Sequence, residues 1–591
     1  MSKGFRKVML LTLVVMMVLS SVSFAATTSK STSAKKTTAT TPKVDHKTTY
    51  TIDCFTMLGN QSGIQGGWFG KILKDKFNIK MNVISSNVEG GGDAKFATMM
   101  ASGNLGDLVV FGSNTDGKMA DAIKAGYLLD LTKNNLITKY GPYIVKNFPK
   151  VIQKSKITNG NGKALYGFGY NAVDPKNTGS CEVRDTTEET CLRFDLYKKI
   201  GAPKLNSWDD LLTALKKMQK INPKSDSGKP VYAFSPWKDW DGNMMMWVKA
   251  FTALMGYDEG DGFNDGGFIQ FSPDGTSYGC LDTKGPYVKV LKMLNKANQM
   301  GLVDPDAITQ TFDDMNNKLK DGQLLFTLFP WTCNSYNSVT RQDQGKGLYF
   351  VPVKGEKIVS YAFNPYGFER TISIGKKAKK PERLMELINW LYTPEGAQTY
   401  QTGPKGLAWN TDKNGKPYET DLGQAVFNNP DTTIPKKWGG GTWKDGMPTF
   451  NIQLVQYDSI NPTTGEPYYQ VDWSSTMKES ATKLDNDWRA MYKTLTPVEY
   501  MKKNNMLVLK KPVFTGKAPE ERPETLKQKQ DAVKMVIRDA SWKMVYAKNE
   551  SEFNSLLKNA IDQANGLGYK DVLKWNLDHA KKVTDYLKTH K

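Results

Sequence analysis

Tryptophans in polar, loop-like segments are the residues of this chain best suited to bind or transform a ligand. Trp237 and Trp240 share the segment 235–242 with Asp239 and Asp241. A sugar ring presents an apolar C–H face and a rim of hydroxyls, so a site for it needs flat aromatic surfaces beside carboxylate or amide acceptors. This segment supplies both, and we expect Trp237, Asp239 and Trp240 to bind a saccharide.

Two further segments have a similar composition. Trp331 follows Phe329 and Pro330, and Trp443 follows a run of three glycines that itself follows Trp438. We expect Trp331 and Trp443 to belong to the same kind of binding surface. One Trp of each cluster could instead anchor its loop to the core, and this alternative stays open.

The acidic residues near the tryptophans raise the alternative of a secreted glycoside hydrolase. Such an enzyme needs two carboxylates at a fixed separation, and Asp239 or Asp241 could pair with Glu259 or Asp261. No glutamate at a predicted strand end stands in an aromatic context. The sequence therefore favours binding over catalysis, and we expect no catalytic residue.

Metal and cofactor chemistry is also disfavoured. The three histidines, His46, His579 and His590, lie near the ends of the chain, which argues against a Ser-His-Asp triad or a His-ligated zinc site. No two cysteines have zinc-site spacing. The acidic run 258–265 lacks the alternate-residue spacing of an EF-hand loop. We expect no metal and no cofactor.

The first residues predict export. Basic residues, an apolar run and small residues ending at Ala25 have the layout of a signal peptide over residues 1–25. A retained signal anchor is the alternative, and no cysteine near the cleavage site could carry a lipid. Residues 26–49, rich in Thr, Ser and Lys, predict a flexible tether. We expect an extracellular, surface-associated protein.

The whole chain has a net charge of +20, of which the leader and the tether carry seven charges. The folded body therefore has a moderate net charge of +13. The basic residues are spread along the chain without a dense aromatic-interleaved run, so we expect no nucleic-acid partner. A body of this charge would suit an anionic glycan, although net charge bears on encounter more than on a pocket.

The cysteines suggest one disulfide. Cys181 and Cys191 bracket a polar loop, and closing a loop of this length is worth roughly 3 kcal/mol in the chain-entropy model. We expect these two to pair. Five cysteines cannot all pair internally, so at least one of Cys54, Cys280 and Cys333 is expected to be a buried thiol.

The pattern of elements predicts an α/β fold. Strand-like runs at 50–57, 79–84 and 107–111 alternate with helical patterns, which is typical of a parallel sheet covered on both faces. Amphipathic helices are predicted from Trp208 and from Pro286, and long helices over the last 70 residues.

Several ordered motifs resemble those of family 1 extracellular solute-binding proteins, in the large Gram-positive oligosaccharide-binding branch related to lipoprotein LplA. The stretch 99–110 is similar to their "ASG-x-x-PD-hydrophobic" motif, with Gly106 in place of the usual Pro. The other matching segments are 125–131, 192–195, 200–203, 207–211, 300–305, 320–324, 393–396 and 542–553. Each motif is short, but the order of all of them along the chain is specific to the family.

The resemblance implies two α/β lobes of the type II periplasmic-binding-protein kind, joined by a hinge. We expect lobe 1 to contain 50–165 and about 350–395, and lobe 2 to contain 166–349 and about 396–591. It also implies a monomeric receptor that hands an oligosaccharide to the permease subunits of an ABC importer.

Two residues at strand ends complete the expected site. Tyr170 and Asn60 stand where strand ends should face the ligand. A non-catalytic cell-surface glycan adhesin is a further alternative to the transport receptor.

Overall fold

The computed structural model describes residues 44–86, 92–112, 117–258, 267–514, 516 and 522–589. The predicted leader, the tether up to residue 43, and the carboxylates Glu259 and Asp261 lie outside these residues. Within the described ranges, no helix is both long and apolar enough to cross a membrane.

The strands are short, and most belong to small sheets. They are β1 Tyr50–Thr56, β2 Gly63–Ile64, β3 Ile79–Ser85, β4 Leu108–Phe111, β5 Phe168–Gly169, β6 Cys191–Arg193, β7 Ile269–Phe271, β8 Ser277–Gly279, β9 Phe326–Thr327, β10 Leu348–Phe350, β11 Ile358–Tyr361, β12 Thr371–Ile374, β13 Trp409–Thr411, β14 Pro417–Glu419 and β15 Leu507–Lys510.

Helices surround these sheets and make up most of the C-terminal part. They are α1 Gly67–Phe77, α2 Gly92–Ala101, α3 Lys118–Lys124, α4 Leu136–Tyr140, α5 Pro142–Asn147, α6 Pro149–Asn159, α7 Phe194–Lys199, α8 Trp208–Ile221, α9 Met246–Phe251, α10 Pro286–Gln299, α11 Phe312–Lys320, α12 Cys333–Tyr336, α13 Val339–Asp343, α14 Pro381–Tyr392, α15 Pro394–Thr402, α16 Asp421–Asn428, α17 Ser474–Glu479, α18 Lys483–Tyr492, α19 Pro497–Lys503, α20 Glu524–Val545, α21 Glu550–Gly566 and α22 Tyr569–Thr589.

The main sheet orders its strands β2-β3-β1-β4-β12-β5. Strand β1 pairs in parallel with β3 and with β4, whereas β12 runs antiparallel to β4 and β5. Alternate residues face opposite sides, so that Leu108 and Val110 enter one apolar cluster while Val109 and Phe111 enter another. The predicted parallel sheet with two covered faces is therefore confirmed for β1, β3 and β4.

Two separate hydrophobic cores define the two lobes of a solute-binding fold. The first core, which packs on the main sheet, draws its residues from 50–172 and 372–473. The second core draws its residues from 191–358 and 484–572, around the small antiparallel sheet β10-β6-β9. Helix α20 lies in this second lobe and packs against α10, α21 and α22.

Between its described core residues the chain passes from one core to the other three times, within 173–190, 359–371 and 474–483. The first two crossings are hydrogen-bonded to each other. The amide of Cys181 donates to the carbonyl of Tyr361 at 2.8 Å, and the hydroxyls of Ser180 and Ser360 lie 2.7 Å apart. These paired crossings have the arrangement expected of a hinge.

All three lobe boundaries differ from the expectation. Phe168 and Ala172, expected in lobe 2, belong to the first core, and Phe350 and Ile358, expected in lobe 1, belong to the second. The largest difference concerns residues 396–591, which are expected in lobe 2, whereas Trp409, Trp443 and Trp473 fill the first core beside the main sheet. The C-terminal contribution to the second core begins at Leu484 in α18. Trp409, Trp443 and Trp473 of the loop-rich segment therefore pack the first lobe.

The expected bond between Cys181 and Cys191 does not form in the structure, where all five cysteines are described and are free thiols. Cys191 lies in β6 and points into the second core, where its thiol contacts Cys333. Cys181 lies at the first crossing with its thiol toward Gln456. Sequence spacing brings the ends of the loop within reach but does not determine where the two side chains point.

Candidate functional site

Five aromatic side chains of the second lobe form one contiguous cluster, which we call the aromatic platform. Its members come from three elements: the loop after residue 234, the first residue of α11, and the segment that enters the turn at 330–332. They are Trp237, Trp240, Phe312, Phe329 and Trp331.

The exposed face of the platform is made of near-parallel rings. Trp240 stacks on Phe312 with ring centroids 4.5 Å apart and planes 20° apart. Trp240 and Trp331 have centroids 6.1 Å apart and planes 18° apart. Their residues are 44% and 48% exposed, which is high for the largest apolar side chain. The arrangement offers a flat apolar surface to a ligand in solution.

Trp237 is the base of the platform. It is only 2% exposed and meets Trp240 edge to face at 5.4 Å and Phe329 at 5.8 Å. Its indole Nε1 is buried without a hydrogen-bond partner among the described residues. Trp237 therefore supports the exposed rings, and the alternative in which one Trp of a pair anchors its loop holds for this residue.

A buried polar network fixes the loop that carries Trp237. The hydroxyl of Ser235 donates to Asp304 at 2.6 Å, and the side-chain amide of Gln310 donates to Ser235 and to the carbonyl of Pro236, both at 2.7 Å. Lys318 contacts the same Asp304 carboxylate at 2.7 Å. Partial burial alone would lower the pKa of Lys318, but its bonds to Asp304 and Asp306 outweigh that effect and raise the pKa.

Asp239 lies beside the exposed rings and also positions one of them. Its Oδ1 accepts a hydrogen bond from the backbone amide of Phe312 at 3.0 Å, which ties the Trp240 loop to the start of α11. The residue is exposed. An exposed carboxylate beside stacked rings is the acceptor that a sugar hydroxyl needs, so Asp239 stays within the candidate site.

Asp241 has a different role because both of its carboxylate oxygens point inward. Oδ2 accepts from the indole of Trp542 at 2.7 Å, and Oδ1 accepts from the amide of Met246 at 2.8 Å. Burial raises the pKa of Asp241, although these two bonds oppose the shift. The residue anchors the platform loop to α20.

The remaining predicted site residues belong to the first lobe. Trp443 is 5% exposed and stacks on Trp68 at 5.0 Å inside the first core, so we remove it from the candidate site. Tyr170 directly follows β5 and is partly exposed, with the guanidinium of Arg370 5.1 Å from its ring. Asn60 is exposed in the loop after β1.

Phe312 and Phe329 are platform residues that are not among the residues expected from the sequence. Phe329 is adjacent to the selected Pro330-Trp331 pair. Phe312 follows Thr311, whose hydroxyl and Asp314 form a capping box at the start of α11. That capping pattern was readable from the sequence and would have placed Phe312 at an exposed helix start.

Solved structures of similar fold include three that this chain covers almost completely. An HMO-binding, ABC-transporter-associated solute-binding protein from Bifidobacterium longum infantis aligns over 91% of this chain and 99% of its own, at 16% identity and a TM-score of 0.53. FusA, an ABC-transporter substrate-binding protein of S. pneumoniae in complex with kestose, aligns over 92% and 100%, at 15% identity and a TM-score of 0.51.

The third structure is an extracellular solute-binding protein from Bifidobacterium longum subsp. infantis, which aligns over 91% of this chain and 99% of its own, at 15% identity and a TM-score of 0.50. At these identities the likeness establishes the fold. No curated protein sequence matches the chain.

A family model described as "Bacterial extracellular solute-binding protein" matches residues 68–414, more than half of the chain. The matched range contains most of the main sheet, the first two crossings and the whole aromatic platform. Fold and sequence therefore agree, and the chain belongs to the bacterial extracellular solute-binding proteins.

Proposed function

We propose that this protein is the substrate-binding protein of an ABC importer, and that it captures an oligosaccharide on the aromatic platform. The observation that carries the proposal is the pair of exposed, near-parallel tryptophans, Trp240 and Trp331, on a buried aromatic base. Such rings match the C–H face of a sugar, and Asp239 beside them can accept from its hydroxyls.

The names of similar proteins support the proposal. Two of the similar structures are named as ABC-transporter proteins, and their names mention HMO binding and a complex with kestose. The family itself is one of extracellular solute receptors. Membership of the finer branch related to lipoprotein LplA is also part of our proposal, and it rests on the C-terminal motifs.

Ligand capture in this proposal uses both lobes. The platform belongs to the second lobe, whereas Tyr170 and Asn60 belong to the first, and the paired crossings at Ser180 and Ser360 form the hinge. A ligand favours a closed state only by its higher affinity for that state. An oligosaccharide that touches residues of both lobes would supply this difference and present the closed receptor to the permease.

The experiment is a titration of the pure protein with a panel of oligosaccharides. Tryptophan fluorescence measures binding, and small-angle scattering measures the radius of gyration. We expect saturable binding to a subset of the panel and a smaller radius of gyration on binding. If the protein instead binds an insoluble polymer and its radius of gyration does not fall when short sugars are added, it is an adhesin.

We further propose that the protein is not an enzyme. Of the two aspartates that could form half of a hydrolase pair, Asp241 uses both carboxylate oxygens to hold the platform loop, and Asp239 uses one to accept from the amide of Phe312. Incubation with the bound oligosaccharide should release no new reducing ends. Steady turnover would assign the protein to the glycoside hydrolases.

Export and assembly complete the proposal. The predicted leader 1–25 would direct the chain across the membrane, and the tether would hold the folded body near the cell surface. We propose a monomer in solution. Light scattering on the purified body tests the mass, and N-terminal sequencing of the exported protein tests cleavage after Ala25.

A further inference from the structure

A cavity of about 640 Å³ adjoins the segment that carries Trp240. One wall is the loop from Asp241 to Met244, and the facing wall is helix α20. We call it the basic cavity, because five cationic side chains line it against two carboxylates. The cations are Lys249, Arg522, Lys527, Lys534 and Arg538, and the carboxylates are Asp241 and Asp531.

Helix α20 presents a polar stripe to this cavity. Lys527, Lys534 and Arg538 are spaced by seven and four residues, which places them on one face of a helix. Val533 and Ile537 of the same helix are fully buried in the second core. The helix is therefore amphipathic, and its polar stripe lines the cavity, which is partly open to solvent. Lys527 at the start of the stripe also pairs with Glu524 at 3.6 Å.

Arg538 is the residue that points most clearly to a ligand. Among the described residues no carboxylate forms an ion pair with it. Its Nη1 donates to the backbone carbonyl of Asp241 at 3.4 Å and its Nη2 to the sulfur of Met535 at 2.8 Å. Its Nε is buried without a hydrogen-bond partner in the described part of the chain. A buried donor left unpaired is destabilising unless a ligand supplies the acceptor.

The two carboxylates of the cavity do not pair with Arg538. Both oxygens of Asp241 are engaged by Trp542 and Met246. Asp531 pairs with Lys534 one helical turn away, at 2.6 Å, and is itself 67% exposed. An exposed pair of this kind contributes little to stability, so Lys534 can exchange Asp531 for another anion.

We infer that the basic cavity is a subsite for an anionic substituent, a carboxylate or a sulfate ester, on the oligosaccharide that the platform binds. This inference rests on the proposed function and narrows it to acidic glycans. Trp240 of the platform and Asp241 of the cavity wall are consecutive residues, so the cavity adjoins the loop that carries the platform. The guanidinium of Arg538 provides the paired donors that carboxylates and sulfates accept.

The test compares each acidic oligosaccharide with its neutral counterpart by isothermal titration calorimetry at 0.15 M salt. One arm uses uronate oligosaccharides and their carboxyl-reduced forms, and another uses sulfated oligosaccharides and their desulfated forms. We expect at least one acidic member to bind tenfold or more tightly than its neutral form, and this advantage to shrink at 0.5 M salt. Sodium sulfate alone is the third arm.

The variant Arg538→Gln should remove the advantage of the acidic ligand and leave the neutral form bound as in wild type. Lys543→Gln is the matched control, because Lys543 is an exposed residue of the same helix that does not line the cavity. Circular dichroism and urea unfolding of both variants check that α20 stays folded. Lys534→Gln provides a second variant, with the same expected loss.

Three outcomes would overturn the inference. If neutral forms bind as tightly as acidic ones, the proposed function stands and the anionic subsite does not exist. If sodium sulfate alone competes fully with the acidic glycan, the cavity is an inorganic-anion site. If no oligosaccharide of either kind binds, the proposed function fails together with the inference.

Discussion

The substitution Trp240→Ala tests the platform most simply, because it removes an exposed ring and leaves the buried base intact. A Trp side chain presents up to about 250 Å² of surface. With 44% exposed, about 110 Å² is open, and a sugar stacked on one face would cover about half of it.

The expected loss of affinity follows from this area. About 55 Å² covered at roughly 25 cal/mol per Å² gives about 1.4 kcal/mol from the indole alone. The C–H face of the sugar loses contact with water as well, which brings the total to about 2 kcal/mol. We therefore expect the Kd of Trp240→Ala to rise roughly tenfold to thirtyfold.

Trp331→Ala should weaken binding by a similar factor, since Trp331 is exposed to nearly the same degree. The double variant should lose at least about a hundredfold. The rings contact each other, so we do not expect strict additivity. Calorimetry with the best ligand from the oligosaccharide panel measures all three constants.

Trp438→Ala is the matched control, because Trp438 is a partly exposed tryptophan that packs against the first core. It should bind as wild type does. If Trp240→Ala and Trp331→Ala both bind with wild-type affinity while remaining folded, the platform is not the sugar site and the reasoning from stacked rings is refuted.

Three further predictions concern the stability of the fold, the protonation of a buried carboxyl group and the state of the cysteines. Trp237→Ala should lower the free energy of unfolding by about 3–5 kcal/mol, because the Trp237 side chain is buried beneath the exposed rings of the platform. A loss in urea unfolding no larger than that of Trp240→Ala would contradict this. Burial raises the pKa of Glu356 to about 8, above its value of about 4.3 in the unfolded chain. Between these pH values the folded state binds more protons than the unfolded state, so the free energy of unfolding falls as the pH rises from about 4 to 8. Glu356→Gln should therefore show a flatter decline in stability between pH 5 and pH 8 than wild type, and an unchanged decline would be evidence against a buried, protonated Glu356. The denatured, unreduced protein should titrate five thiols per chain, and a count of three would indicate a disulfide that the structure lacks.

The sequence was most informative where local chemistry decides the structure. The runs at 50–57 and 79–84 alternate apolar with polar residues, the run at 107–111 is mostly apolar, and the three form the parallel strands β3-β1-β4. Trp240 and Trp331 stand among Asp, Lys and Pro residues that do not belong to a core stripe. Both are exposed, as their surroundings indicated.

Close packing between distant segments is what the sequence does not show. The glycines before Trp443 suggest an exposed loop, but in the fold Gly403 and Gly446 allow aromatic rings to approach the backbone. A Cβ at Gly403 would overlap the ring of Trp443, and one at Gly446 would overlap Trp68. These glycines are therefore needed for the core, and the ring that they accommodate is buried.

The thiols and the basic cavity depend on tertiary structure in the same way. Cys181 and Cys191 are ten residues apart, yet one lies at a crossing and the other in a core strand. The cavity combines a loop near residue 242 with a helix near residue 534. Their separation along the chain hides the site from any local pattern.

A crystal structure of the protein with the tightest-binding oligosaccharide of the panel tests the central claim most directly. The account predicts a sugar ring stacked on Trp240 and Trp331, with a hydroxyl within hydrogen-bonding distance of Asp239. A sugar bound elsewhere, with both indole rings still open to solvent, would contradict it.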